Sequence, residues 1–215
     1  MATHAAALTR RRRAELLRGI YVILNEAPRV LEFARAVLDA GVRVVQYRAK
    51  SGIVGGNVRA LRDLTRERDA LLILNDDWRA AATFDCDGVH LGPEDDGFDC
   101  VAPVRSALRE RLIGLSCATI EEVRSANAAG VDYLGAGAVY ATFSKSDAGA
   151  PIGTDGLRAL ARESAVPVAA VGGIMAATIP AIRQSGAAMA AVISAISDAA
   201  EPYRAARELV DAWHR

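Results

Sequence analysis

The chain has 215 residues, 52% of them hydrophobic, and its 26 lysines and arginines balance 26 aspartates and glutamates. That length fits one large domain, since single α/β barrels commonly contain about 200–250 residues, and the neutral net charge provides no overall attraction to nucleic acid or an anionic membrane. No apolar stretch approaches the roughly 20 uncharged residues that a membrane-spanning helix requires, so we expect residues 1–215 to form a single cytoplasmic domain.

The chain begins with a basic extension over residues 1–18, which we expect to be helical. Its charges follow a run of small residues, the reverse of the order in a secretory signal. Within the extension, the run Arg10–Arg13 predicts the solvated start of a helix, because no aromatic or basic stripe continues it.

Beyond residue 18, short apolar runs alternate with segments of helical periodicity. The apolar runs occupy residues 19–24, 42–47, 71–74, 88–91, 112–116, 132–137, 167–172 and 189–194. The helical segments occupy residues 30–40, 56–69, 77–82, 101–109, 119–129, 155–163, 176–185 and 203–213. Thr119 and Glu122 have the spacing of a capping box, in which each side chain binds the other's backbone at the start of a helix.

These eight strand-then-helix units predict the fold. Apolar runs without strict alternation are typical of parallel strands that are buried on both faces. Eight such units in 215 residues favour a closed (β/α)8 TIM barrel over an open doubly wound sheet. No shift in composition indicates a second domain.

In barrels of this kind the functional site forms at the C-terminal ends of the strands. The strand ends of this sequence are rich in polar residues and glycine. In strand order they carry Gln46, Arg48 and Lys50; Asn75, Asp76 and Asp77; Glu94, Asp95 and Asp96; Ser116; Thr142, Ser144 and Lys145; Gly172 and Gly173; and Ile193 and Ser194. We expect these residues to meet at the mouth of the barrel.

Two acidic clusters, one after the third strand and one after the fourth, indicate a metal. With few basic neighbours they would repel each other unless a cation lay between them. Carboxylate and water oxygens suit Mg²⁺, which keeps several waters and bridges the phosphates of a substrate. Helix capping is the alternative explanation for either cluster alone, and Asp77 is placed to cap the helix that follows it. Cys86, Cys100 and Cys117 lack zinc-ligand spacing and are expected to be reduced, partly buried thiols of a cytoplasmic protein.

Two other groups of strand-end residues suit phosphate. Arg48, Lys50 and Lys145 can pair with anionic oxygens. Gly172–Gly173 and Ile193–Ser194 would supply backbone amides and a helix N-terminus, the usual phosphate cradle of such barrels. Two separate anion sites, only one of them with a metal, indicate two phosphorylated substrates.

His90 lies inside the fourth predicted strand, where it could serve as a general base. Its neighbours Val89 and Leu91 face the opposite way, so the imidazole points into the barrel or against a helix. We favour a structural histidine with satisfied hydrogen bonds.

Seven segments follow one another along the predicted strands and loops. They are VQYRAK (45–50), LNDDWRAA (74–81), DGVHLGPED (87–95), LIGLSCAT (112–119), DYLGAGAVYATFSK (132–145), VAAVGGI (168–174) and AAVIS (190–194). Taken in this order, they resemble the thiamine-phosphate synthase family, and the resemblance runs from about Ile20 to the final helix.

That resemblance implies an enzyme that joins 4-amino-2-methyl-5-hydroxymethylpyrimidine pyrophosphate to a thiazole phosphate and releases pyrophosphate. It implies that Asp76 and Asp95 bind Mg²⁺. The implied contacts of the pyrimidine pyrophosphate are Gln46, Arg48, Lys50, Asn75 and Lys145, with Ser116 near the ring, and those of the thiazole phosphate are Thr142, Ser144, Gly173, Ile193 and Ser194. Mg²⁺ and the three cationic side chains would offset the charge on the departing pyrophosphate in a dissociative path without a protein nucleophile. The implied partners are these small molecules, and a homo-oligomer stays open.

The sequence departs from the family pattern at several positions. Tyr47 and Ala49 replace the Leu and Glu of a QLREK pattern, and Pro93 replaces the Gln of GVHLGQ. Phe143 replaces a Pro that would stiffen the loop TPTK, whereas Ser144 keeps the hydroxyl of the Thr it replaces. These departures bear on loop geometry and rate more than on the type of reaction.

Three alternatives accompany this hypothesis. A related thiazole tautomerase lacks the Asp found here at position 76 and carries a His at the position of Ala118, so both positions favour the synthase. A non-catalytic phosphate-binding barrel would fit the unusual loop around Phe143. An aldolase or epimerase would need a Schiff-base lysine or a base on a strand, and Lys50 and Lys145 are the only lysines in the sequence.

Overall fold

The computed structural model describes residues 8–142 and 150–215, and within them the predicted barrel is confirmed. Eight parallel strands pair in chain order, and β8 pairs with β1 to close the sheet. The strands are β1 (Gly19–Asn25), β2 (Val44–Arg48), β3 (Leu71–Asn75), β4 (Gly88–Leu91), β5 (Leu112–Cys117), β6 (Tyr133–Ala136), β7 (Val168–Val171) and β8 (Met189–Val192). Because all eight are parallel, their C-terminal ends open on the same face of the barrel.

Helices follow every strand and surround the barrel. In the described residues they are α1 (Arg10–Ala14), α2 (Val30–Asp39), α3 (Gly55–Arg66), α4 (Trp78–Thr83), α5 (Val101–Leu108), α6 (Ile120–Ala129), α7 (Gly153–Glu163), α8 (Ile179–Gln184), α9 (Ser194–Ser197) and α10 (Pro202–His214). The helix predicted over residues 176–185 opens as a 3₁₀ turn, Ala176–Thr178, before α8, and α9 was not predicted. The capping box of Thr119 and Glu122 is confirmed at α6. None of the helices described is long and apolar enough to cross a membrane.

Two apolar cores hold the barrel together. One fills the barrel interior and includes Val44, Leu71, Ile73, Leu112 and Met189, all of them inaccessible to solvent. The other, larger core lies between the outward-facing strand residues and the helices. Because both faces of each strand are buried, the strand sequences show no polar alternation, which explains why the apolar runs predicted parallel strands.

The basic run Arg10–Arg13 is only in part the solvated helix start expected from the sequence, since Arg11 and Arg12 are exposed and Arg13 is not. It forms α1, which the Thr9 hydroxyl caps, but the Arg13 side chain is almost completely buried. Its Nε lies 3.0 Å from one oxygen of Asp87, and Arg62 Nη1 lies 2.7 Å from the other oxygen. The sequence alone could not predict these pairs, because the partners lie on separate elements.

A second buried carboxylate, Asp132, anchors the same end of the barrel. It pairs with Arg10 and Arg105, and it accepts the Ile113 N–H at 2.8 Å. Asp87 and Asp132 immediately precede β4 and β6, so α1 lies against the N-terminal ends of the strands, opposite the predicted site. Buried carboxylates are costly unless they are paired and hydrogen-bonded, and both acids meet that requirement here.

Candidate functional site

One cavity opens at the C-terminal ends of the strands and has a volume of about 1150 Å³ including its open mouth. The sequence-predicted site residues that line it are Gln46, Arg48, Lys50, Asn75, Asp76, Asp95, Ser116, Thr142, Gly173, Ile193 and Ser194. Ser144 and Lys145, also predicted for the site, lie outside the described residues. The fold therefore brings together the predicted site residues that it describes, while their individual roles stay predictions.

Asp76 and Asp95 are neighbours in this cavity, on the ends of adjacent strands. Asp76 adopts a left-handed backbone conformation (φ 68°) directly after β3, where its N–H donates to the His90 carbonyl oxygen at 2.9 Å. The Asp95 carboxylate accepts the Gly92 N–H at 2.6 Å, within the turn after β4. The pKa of Asp95 is raised, and burial is the largest cause. The Gly92 N–H opposes that increase, and the Asp76 carboxyl adds to it. The Asp76 carboxyl thus lies close enough to Asp95 to raise the pKa of Asp95.

The acidic clusters have more basic neighbours than the sequence indicated. Lys50 Nζ lies 2.6 Å from an Asp76 oxygen. Asp96 pairs with Arg79, and this contact lowers the pKa of Asp96. The expectation that the clusters have few basic neighbours was therefore wrong in part, since Lys50 and Arg79 each pair with one of their carboxylates.

The polar residues Asn75–Asp77 divide between the cavity and the helix that follows. Asn75 and Asp76 line the cavity. Asp77 accepts the Ala80 N–H at 2.8 Å as the N-cap of α4, which confirms its predicted structural role.

The donor set of the cavity fits Mg²⁺. Asp76 and Asp95 provide two carboxylates, and within residues 8–142 and 150–215 no group of three or more His, Cys, Asp or Glu side chains could hold a metal. Mg²⁺ usually binds through one or two carboxylates and completes its shell with water and substrate phosphate. A catalytic Zn²⁺ site would require three protein ligands.

Tyr47, at a position where the sequence resemblance implies a Leu, contacts the loops after β1 and β2. Its buried hydroxyl donates to Glu26, and it accepts the Val54 N–H at 3.3 Å. Asn57 donates to the same carboxylate at 2.9 Å. Burial, with the Glu26 hydrogen bond, raises the pKa of Tyr47 to about 12, so the hydroxyl keeps its proton. Tyr47 thus supplies a contact between the loops after β1 and β2.

The Gly172–Gly173 turn after β7 requires glycine at both positions. The two residues have φ angles of 100° and 62°, which side chains disfavour. A Cβ on Gly172 would lie 2.6 Å from Ala138 Cβ, and one on Gly173 would lie 2.6 Å from the Ala141 carbonyl oxygen. The turn therefore packs directly against the loop after β6, and both glycines line the cavity.

Replacing Gly173 by Ala is expected to weaken phosphate binding roughly 10- to 100-fold, because an added Cβ must displace the turn and small misplacements of a binding group have effects of that size. Titration calorimetry with inorganic phosphate measures the loss. Gly130→Ala is the matched control: Gly130 has a similar φ of 71°, but nothing lies within 4 Å of its added Cβ. Equal phosphate affinity in the two variants would remove the Gly172–Gly173 turn from the predicted phosphate site.

A series of five hydrogen-bonded side chains crosses the barrel, and all of them except Tyr133 line the cavity. Gln46 Nε2 donates to the Tyr21 hydroxyl at 2.6 Å, and the Tyr21 and Tyr133 hydroxyls lie 3.1 Å apart. The Tyr133 hydroxyl lies 3.2 Å from His90 Nδ1, and His90 Nε2 lies 3.0 Å from Ser116 Oγ. The imidazole thus points into the barrel, and the series as a whole connects Gln46 with Ser116, two residues predicted to contact substrate.

Sequence reasoning missed the two tyrosines of this series. A signal was available in the strand glycines, since a glycine within a strand often marks the close approach of another group. A Cβ on Gly114 would lie 2.1 Å from the Tyr133 ring, and one on Gly135 would lie 3.0 Å from the His90 ring. The two glycines therefore make room for the interior rings.

Known proteins resemble this chain in both sequence and structure. The family model described as thiamine monophosphate synthase matches residues 20–196. The chain is 37% identical over 204 residues to a thiamine-phosphate synthase of Caldivirga maquilingensis, covering 92% of this chain and 98% of that protein. It is 40% identical over 206 residues to a thiamine biosynthesis bifunctional protein of Symbiobacterium thermophilum, covering 92% of this chain but 41% of that longer protein. The solved structure of a thiamine phosphate pyrophosphorylase from Pyrococcus furiosus matches with a TM-score of 0.83 and 34% identity, over 92% of this chain and 96% of that one.

Proposed function

We infer that this chain, which belongs to the thiamine monophosphate synthase family, is a transferase that condenses a pyrimidine and a thiazole moiety into thiamine phosphate. The substrates are 4-amino-2-methyl-5-hydroxymethylpyrimidine pyrophosphate and a thiazole phosphate, and the second product is pyrophosphate. The matched residues extend from β1 into α9, so the family relationship includes all eight strand ends.

One observation carries this function: three carboxylates (Asp76, Glu94 and Asp95), two cationic side chains and a glycine turn converge on one cavity. Asp76 and Asp95 occupy one side with Arg48 and Lys50, and the Gly172–Gly173 turn occupies another part of the lining. A substrate that carries a pyrophosphate with Mg²⁺ and a second substrate that carries one phosphate would match this distribution of charge.

We assign the pyrophosphate to the side of the cavity formed by the ends of β2, β3 and β4. Arg48, Lys50 and Asn75 would bind its oxygens, together with Lys145 from the loop outside the described residues. Lys50 already lies 2.6 Å from Asp76, so a pyrophosphate held beside that carboxylate through Mg²⁺ would be within reach of the ammonium group. We assign the phosphate of the thiazole to the ends of β6, β7 and β8, through Thr142, Ser144, Gly173, Ile193 and Ser194.

The chemistry then depends on charge and position. Asp76 and Asp95 would hold Mg²⁺, which when bound neutralises part of the charge on the departing pyrophosphate. Arg48 and Lys50 stabilise the same charge as the bond between the methylene carbon and the pyrophosphate oxygen breaks. The aminopyrimidine ring delocalises the positive charge left on the methylene carbon, and the thiazole nitrogen forms the new bond to that carbon. Ser116 and Gln46 orient the ring, so a protein nucleophile is not required.

A coupled assay tests the proposed function. The purified protein, mixed with both substrates and Mg²⁺, should release pyrophosphate and form thiamine phosphate in equal amounts. Omitting either substrate, or chelating Mg²⁺ with EDTA, should abolish both signals. Conversion of the thiazole phosphate alone, without release of pyrophosphate, would instead support the tautomerase alternative.

We extend the proposal to a cytoplasmic enzyme whose partners are its small-molecule substrates rather than nucleic acid or a membrane. The balanced charge of the sequence supports this extension. Self-association stays a prediction, which size-exclusion chromatography with light scattering would test.

A further inference from the structure

Two consecutive residues, at the point where β1 ends, hold Arg48 by its backbone and by its side chain. The Arg48 carbonyl oxygen accepts the Glu26 N–H at 2.8 Å, and Arg48 Nη1 donates to the amide oxygen of Asn25 at 3.0 Å. The guanidinium lines the cavity, and the acceptor that orients it there is a neutral group. Lys50, by contrast, pairs with the Asp76 carboxylate, which offsets part of the charge of the ammonium group.

The Glu26 side chain anchors this strand end to the neighbouring strand and helix. Its carboxylate accepts the Tyr47 hydroxyl proton, and the Asn57 amide donates to its two oxygens at 2.9 and 3.1 Å. The Tyr47 hydroxyl in turn accepts the N–H of Val54, the N-cap residue of α3, at 3.3 Å. The carboxylate therefore lies at the first turn of a helix, where the helix dipole stabilises negative charge, and both of its side-chain donors are neutral groups.

Tyr47 and Arg48 act from opposite faces of β2, because successive side chains of a strand point to opposite faces. The Tyr47 ring is fully buried in the outer core, beneath the helices, whereas Arg48 lines the cavity. Segments that follow strands are generally more mobile than the strands themselves. A strand end that must orient a charged side chain therefore benefits from an anchor in the core, and the buried Tyr47 ring provides that anchor through Glu26.

We propose that Asn25, Glu26 and Tyr47 are positioning residues that present the Arg48 guanidinium to the pyrophosphate. Tyr47 anchors Glu26, and the Glu26 backbone and the Asn25 side chain then fix the two ends of Arg48. Because Asn25 is a neutral acceptor, it orients the guanidinium without offsetting the charge that binds anionic oxygens. This inference rests on the proposed function for the identity of the anion, whereas the contacts that hold Arg48 are properties of the protein alone.

A double-mutant cycle with inorganic pyrophosphate and Mg²⁺ tests the inference. Titration calorimetry gives the affinity of the unsubstituted protein, of Tyr47→Phe, of Arg48→Gln and of the double variant, and Phe keeps the buried ring while it removes the hydroxyl. We expect Tyr47→Phe to weaken pyrophosphate binding about tenfold when Arg48 is intact but less than about twofold when Arg48 is already glutamine, since residues of one hydrogen-bonded network are coupled by amounts of this size. An equal loss in both backgrounds is the result of a merely structural role, and it would overturn the inference.

Thr65→Val is the matched control. Thr65 is fully buried near the other end of α3, and its hydroxyl donates to the Arg62 carbonyl oxygen at 3.0 Å. The control thus loses a buried hydroxyl but no contact of Arg48, and its pyrophosphate affinity should stay within about twofold of the unsubstituted protein, as for independent sites. If Tyr47→Phe does not fold, Asn57→Ala takes its place in the cycle with the same expected results, because it removes the other side-chain donor to Glu26 at a partly exposed position.

Crystal structures without substrate provide a second measurement. We expect the contact between Arg48 Nη1 and the Asn25 amide oxygen in the unsubstituted protein and in Thr65→Val, and a displaced guanidinium in Tyr47→Phe. A guanidinium that keeps this contact in Tyr47→Phe would overturn the inference, as would a pyrophosphate affinity that Arg48→Gln leaves unchanged. A protein that shows the coupling and the contact but forms no thiamine phosphate would instead count against the proposed function.

Discussion

Replacing Asp76 and Asp95 together by asparagine is expected to lower kcat/KM for thiamine phosphate formation at least about 1000-fold. Removing a single preorganised electrostatic contact to developing charge already lowers kcat roughly 100- to 1000-fold. This variant would lose both proposed Mg²⁺ ligands at once. The two substitutions hardly alter the shape of the side chains, because asparagine is nearly isosteric with aspartate. Steady-state release of pyrophosphate at saturating Mg²⁺ measures the effect.

The matched control is Asp77→Asn/Asp96→Asn, which makes the same two substitutions one position further along the chain. Asp77→Asn should keep the N-cap of α4, since asparagine caps helices as well as aspartate does. Asp96→Asn removes an exposed partner of Arg79, and exposed ion pairs contribute little. The control should therefore retain nearly full activity. If Asp76→Asn/Asp95→Asn also stayed within tenfold of the unsubstituted protein, or if activity persisted in EDTA, the metal assignment would be wrong.

Asp87→Asn is expected to have the largest effect on stability, a loss of about 3–5 kcal/mol in the free energy of unfolding, as is usual when one partner of a buried ion pair is removed. Asp87 is fully buried between Arg13 and Arg62 and also accepts the Leu72 N–H at 3.0 Å. Asparagine would leave two buried guanidinium groups without a carboxylate. For a chain of this size the loss corresponds to a decrease in Tm of roughly 6–20 °C, measurable by circular dichroism.

Asp155→Asn controls for the chemical change itself. The Asp155 side chain is 94% exposed in its pair with Arg158, so its loss should change the free energy of unfolding by about 1 kcal/mol at most. Activity of Asp87→Asn well below its transition should match that of the control, because Asp87 lies at the opposite end of the barrel from the cavity. Equal Tm values for the two variants would show that the buried cluster does not stabilise the fold as we expect.

The sequence predicted the barrel well because each strand is a local feature. An apolar run of four to six residues, followed by a periodic segment with a cap or a terminal glycine, predicts a strand and a helix without any knowledge of the residues they will contact. The shortest helix escaped prediction for the same reason: α9 has four residues, too few for any periodicity to be visible.

The candidate site was predictable to a similar degree, because parallel strands place their C-terminal ends together. Gln46, Asp76, Asp95 and Ser116 could be grouped without any knowledge of distances, since each follows or ends an apolar run. Which residue each of them contacts was not predictable. Lys50 was expected to serve substrate oxygens alone, yet it also pairs with Asp76.

The contacts missed from the sequence join residues far apart in the chain. Arg13 and Asp87 are separated by 74 positions, and Tyr21 and Tyr133 by 112. A tyrosine within an apolar strand is consistent with packing alone, and an arginine in a basic run is consistent with solvation, so residue type does not distinguish the alternatives. Burial decides between them, because a buried polar group must find a partner.

By itself, therefore, the sequence determined the eight strand-and-helix units, the end of the barrel at which chemistry collects, and the kinds of group available there. Those properties depend on local periodicity and on strand direction, which neighbouring residues specify. Only the tertiary structure decided which buried charges pair at the N-terminal end, and which side chains form the interior series from Gln46 to Ser116. Those properties arise when barrel closure removes water from polar groups on distant strands, and each group must then satisfy its hydrogen bonds with whatever the fold has placed beside it.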